Sequence, residues 1–60
     1  MSFDSVEIDD IVFRPYMNYD PNDGGKMIAH IEANMIREKG YYVRVIKRQN
    51  RWWLVRALKQ

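Results

Sequence analysis

Sixty residues, 7.3 kDa and a formal net charge of +2 bound what this chain can be. A chain this short supports one domain, 1–60, and buries only about 60% of the surface its unfolded form exposes, which disfavours a deep substrate cavity. Cysteine is absent, so disulfides, thiolate zinc sites and a cysteine nucleophile are excluded, and a cytoplasmic, intracellular setting is expected.

The hydrophobic share of 47% beside 30% charge is a folding composition. No run of about eighteen apolar residues and no basic-then-apolar leader is read, so no membrane contact is expected. Residues 1–5 are expected to fray.

Val6-Glu7-Ile8 alternates apolar and acidic, as a half-buried strand does. Ile11 and Phe13 then fall out of phase with Val6 and Ile8. A bulge at Asp9-Asp10 would restore the facing, and the alternative is a loose N-terminus with a strand starting near Asp10. Either way one strand is expected within Val6 to Arg14, ended by Pro15, which cannot donate to a ladder. Tyr16 to Gly25 reads as a loop, with Asn22 or Asp23 capping the helix that follows.

Lys26 to Lys39 has helical periodicity. Met27, Ile28, Ile31 and Met35 form the stripe expected to face a sheet, with Ala29 and Ile36 flanking it. Lys26, His30, Asn34 and Arg37 mark the wet side, and Gly40 stops the helix. Tyr41 to Arg48 and Arg51 to Lys59 are rich in β-branched and aromatic residues and read as a C-terminal hairpin around Gln49-Asn50. The expected fold is α+β in the order β-α-β-β, one helix packed on one face of a small three-stranded sheet.

The hairpin register sorts the side chains. A two-residue loop puts Tyr41, Val43, Val45, Trp52, Leu54 and Leu58 on the helix side, with Lys47 and Arg56 at its margins. Tyr42, Arg44, Ile46, Arg48, Arg51, Trp53, Val55 and Ala57 then share the other face. A three-residue loop would instead open Arg44, Arg48, Trp52 and Arg56. In both registers arginines and a tryptophan stay outside the core, because a single helix covers one face only.

Charge is split along the chain. Residues 1–23 hold six acids against Arg14, whereas residues 24–60 hold nine bases against Glu32 and Glu38. Such asymmetry suits a polyanionic partner, and it equally suits an acidic front folded against a basic back.

Chemistry-bearing motifs fail on spacing. Gly24-Gly25-Lys26 lacks the earlier glycine and the following Ser or Thr of a phosphate loop. The turn from Asp20 has Ile31 where a calcium loop needs a glutamate. His30 has no second histidine to share a metal, Asp9 and Asp10 point to opposite faces of a strand, and no triad can be assembled. No catalysis, cofactor or metal is expected.

The sequence therefore reads as a small interaction module built on the basic-aromatic hairpin, with Tyr42, Arg44, Lys47, Arg48, Arg51, Trp52, Trp53 and Arg56 as binding residues. The leading expectation is a homo-oligomer, such as a dimer, or binding to another protein as a regulator, since Tyr, Trp and Arg dominate interface hot spots. The alternative is nucleic acid, DNA or RNA, single-stranded or duplex. There Arg44, Arg48, Arg51 and Lys47 would contact phosphate, and Tyr42 and Trp53 would contact bases.

Overall fold

A computed structural model describes residues 4–59. Four strands and one helix follow in the order β1 (Val6–Ile8), β2 (Ile11–Tyr19), a short 3-10 turn (Pro21–Asp23), α1 (Gly25–Arg37), β3 (Tyr41–Arg48) and β4 (Arg51–Leu58). The strands form a single antiparallel sheet in the order β1-β2-β4-β3. The α+β class stands, and the sheet has four strands where three were expected. The expected fraying of residues 1–5 falls mostly on residues outside those described.

The extra strand comes from a reversal at Asp9-Asp10. Both residues adopt left-handed backbone, with φ of 54° and 66°, which makes a tight hairpin turn rather than a bulge. Val6 then pairs with Phe13 and Ile8 with Ile11. Cross-strand partners share a face, so the apparent phase error between the two apolar pairs disappears once the chain turns back.

Pro15 does not end β2. It sits at a register shift between Pro15 and Met17, where the missing N–H is tolerated. The strand runs on to Tyr19 beside β4, while its other side, beyond Phe13, has no pairing with β1. The first four residues of the expected loop, Tyr16 to Tyr19, are thus strand.

The C-terminal hairpin adopts the two-residue register. Arg48 pairs with Arg51, Lys47 with Trp52 and Ile46 with Trp53. Gln49 and Asn50 both have positive φ, 56° and 60°.

The helix departs from expectation in its start and, more consequentially, in its facing. No side chain caps it. Gly24, with φ 70°, is the cap residue, and the Asp20 carboxylate instead accepts the Asn22 N–H at 2.9 Å within the 3-10 turn. The buried face is Gly25, Ala29, Ala33 and Ile36, of which Ala29, Ala33 and Ile36 pack on Val43 and Leu54. Gly25 is pressed so close to the preceding turn that a β-carbon there would lie 2.5 Å from the Asp20 carbonyl oxygen. Small residues let the helix settle near the sheet. At about 100° per residue, the Met-Ile stripe then points roughly 140° away from the buried face.

The second face of the sheet is also covered. Phe13, Trp53 and Val55 are buried there, with Val6, Ile8, Ile11, Ile46 and Ala57 packed around them. In a flat sheet β1 would lie about 14 Å from β3. Here Arg44 of β3 reaches Asp9 in the β1–β2 turn at 3.3 Å, so the sheet curls until its first hairpin roofs its last. The expectation that one face must stay open is corrected by that curl.

Candidate interaction surfaces

The basic-aromatic hairpin is dispersed by the curl. Trp53 is 5% exposed, enclosed by the first hairpin, and its indole Nε1 donates to the Arg48 carbonyl at 3.0 Å. It has no free face for a base or a partner. Arg44 is engaged with Asp9 and lies 5.9 Å from the Phe13 ring centre, where it caps the second core. Arg51 donates from Nε to the Asn18 side chain at 2.6 Å and ties the hairpin to β2. Tyr42 remains exposed, with the Lys59 ammonium 5.3 Å from its ring centre.

Trp52, Lys47 and Arg56 fall at two ends of the helix side. At the hairpin tip Trp52 is half-buried, with the ammonium groups of Lys26 and Lys47 at 5.3 and 5.7 Å from its ring. Arg48 and Arg51, paired with each other, are exposed at the same tip on the opposite face of the sheet, the one that carries Trp53. Toward the far end, Arg56 is half-buried between Tyr16 and Tyr41, its guanidinium 4.1 and 4.6 Å from their ring centres. The eight residues therefore do not make one surface.

A different surface stands open. Met27 is 70% exposed, Ile28 46%, Ile31 56% and Met35 52%. They form one continuous apolar stripe on the outside of α1. On the β2 flank the stripe is extended by Met17, which faces the helix side opposite Leu54, and by Tyr16; both are exposed. Glu32 lies on this flank. Its carboxylate adds to the rise in the Tyr19 pKa, which is driven first by burial of the phenol and least by Tyr16. The Tyr19 hydroxyl is buried without a hydrogen-bond partner.

Sequence reading placed the stripe inside because large apolar side chains gain most from burial. The competing signal was present. Gly25, Ala29 and Ala33 recur every four residues and mark a face over which a helix can approach a sheet closely. Arg14 and the paired tyrosines around Arg56 were also missed as a group, because Pro15 was read as the end of the strand that brings them together.

Among the described residues no helix is long and apolar enough to cross a membrane, and no group of three or more His, Asp or Glu side chains could hold a metal ion. No protein-family model, curated protein or solved structure matches the chain.

Proposed function

We propose that this chain is a non-catalytic interaction module that associates with a second copy of itself through the outer face of α1. One observation carries the reading: four large apolar side chains stand in solvent on a helix whose buried face is made of Gly, Ala, Ala and Ile. Monomeric domains scatter exposed apolar residues singly, and a contiguous patch is the mark of a contact surface.

The stripe suits a twofold partner in particular. Met27, Ile31 and Met35 are spaced four residues apart, so the pattern reads the same in both directions. An antiparallel second helix sets Met27 against the partner's Met35, with Ile31 meeting the partner's Ile31 on the symmetry axis. The surface offered, including Tyr16 and Met17, is on the order of 600 Å² per copy, which reaches the lower end of specific interfaces. A dimer of micromolar or weaker affinity is expected.

Sedimentation equilibrium of the wild type and Ile31→Lys tests this. The wild type should show a concentration-dependent dimer, and the variant should be monomeric with an unchanged melting midpoint when both are dilute. A wild type that stays monomeric at high concentration overturns the reading, and so does a dimer that survives the substitution. Loss of the dimer only on replacing Arg48 and Arg51 would return the interface to the hairpin. Binding to lipid vesicles without dimerisation would assign the stripe to a membrane surface.

The hairpin tip supports a second reading, contact with a nucleic acid. Lys26 and Lys47 converge on Trp52 from the helix and from β3, and Arg48 and Arg51 flank the same tip from the other face of the sheet. Four phosphate contacts there give a log affinity falling with log salt at a slope of about −3 to −4. A salt-independent affinity for oligonucleotide, or none, removes it.

A further inference from the structure

Beyond the end of α1, part of the helix side of the sheet is left uncovered. The register places Arg14 directly opposite Arg56, and Val12, Tyr41 and Leu58 on the same side. These residues line a groove of about 690 Å³, within the size range of small-ligand sites. Val12 is 57% exposed and Leu58 68%, so the floor is apolar and accessible.

Two like charges directly opposite each other across a ladder repel. Among the described residues neither guanidinium has a carboxylate partner: Arg56 is held by tyrosine rings, and Asp10, the one acid lining the groove, forms no ion pair with either. Arg44, by contrast, found Asp9. The Arg56 side chain is also fixed in direction, because Tyr16 and Tyr41 grip it at 4.1 and 4.6 Å. A preoriented fork with a second arginine directly across the ladder, beside apolar and phenolic side chains in one groove, is the chemistry that receives an oxyanion attached to a flat group.

We propose that this groove binds a small organic oxyanion, a phosphate or carboxylate carried on an aromatic ring. The oxyanion bridges Arg14 and Arg56, and the ring lies against Tyr41 and Leu58. Binding relieves the repulsion between the two arginines and needs no partner copy, so it stands independently of the self-association proposed above.

Nuclear magnetic resonance titrations with phenyl phosphate, benzoate, inorganic phosphate and benzyl alcohol test it, reading arginine Nε–H and tyrosine ring signals. Phenyl phosphate should saturate at about millimolar affinity, with shifts confined to Arg14, Arg56 and Tyr41. Benzoate in place of phenyl phosphate tells a carboxylate site from a phosphate site. Inorganic phosphate and benzyl alcohol should each bind at least about tenfold more weakly. Arg14→Gln removes the repulsion and leaves the tyrosine clamp intact, so it should fold at least as well as the wild type while losing about tenfold in affinity for phenyl phosphate. Unchanged affinity in that variant, shifts spread evenly over all the basic residues, or no saturable shift would each overturn the proposal.

Discussion

The two sides of the sheet are packed by opposite means. On the helix side Ala29, Ala33 and Ile36 press against Val43 and Leu54, and small residues give a close approach. On the other side Phe13, Trp53 and Val55 fill the space under a hairpin only three residues long in its outer strand. A thin cover needs aromatic side chains beneath it to exclude water, whereas a helix seated through alanines comes near enough for the aliphatic Val43 and Leu54 to fill the seam. The helix thereby releases its own bulky residues to the outside. Apolar surface for a partner is the by-product of one packing solution, and a tryptophan lost to solvent is the by-product of the other.

The sharpest way to break this comparison is Phe13→Ala. Phe13 is 1% exposed, and truncating a buried phenylalanine costs about 3–5 kcal/mol, which is enough to unfold a domain this small. A circular-dichroism melt that still shows a cooperative transition near the wild-type midpoint would mean that the second core is not structural. Next is Ala33→Leu, which forces a large side chain into the close helix seam and should cost about 1–3 kcal/mol. The paired change Ile31→Leu on the outer stripe should leave the chemical-denaturation midpoint of the dilute protein unmoved; equal effects at the two positions would erase the distinction between the helix faces.

The smallest effect concerns Tyr19. Its phenol titrates above its ordinary value of about 10 because burial disfavours the anion and the Glu32 carboxylate opposes it. The folded state therefore holds this proton more tightly than the unfolded chain does. The associated stability is full below about pH 10 and is lost as pH rises from there through the raised folded value. Tyr19→Phe should remove that alkaline loss. At neutral pH it should melt at or slightly above the wild-type temperature, because the hydroxyl it deletes has no partner. A lower melting point at neutral pH would point to a hydrogen bond from that hydroxyl.

Part of this was legible from residues alone. Tyr41 to Arg48 and the strand from Arg51 are rich in β-branched and aromatic residues, so with Gln49-Asn50 between them the hairpin was visible. In the sequence its register stays open between a two-residue and a three-residue loop, because the turn lacks the glycine that would fix its length, and the structure adopts the two-residue one. The helix was equally visible, but periodicity ranks candidate faces by hydrophobicity and says nothing of how near the helix must come. Gly25, Ala29 and Ala33 lost that ranking to Met27, Ile31 and Met35. The first hairpin was hidden because Asp9-Asp10 carries no glycine, and because Pro15 argues against a strand unless a shift in pairing is foreseen. Once that hairpin was missed, so was the roof over Trp53, and with it the dispersal of Arg44, Trp53 and Arg56 to separate tasks.

Both β-hairpins turn without glycine. Asp9, Asp10, Gln49 and Asn50 all hold φ between 54° and 66°, a conformation that side chains other than Asn and Asp adopt at a cost of about 1–2 kcal/mol. Gln49 bears that cost with little to offset it, since it sits exposed at the tip. The molecule thus carries untapped headroom: Gln49→Gly hardens the fold from a point remote from the helix stripe and the arginine groove, and supplies a sturdier background in which disruptive changes at either place can be studied without the chain collapsing.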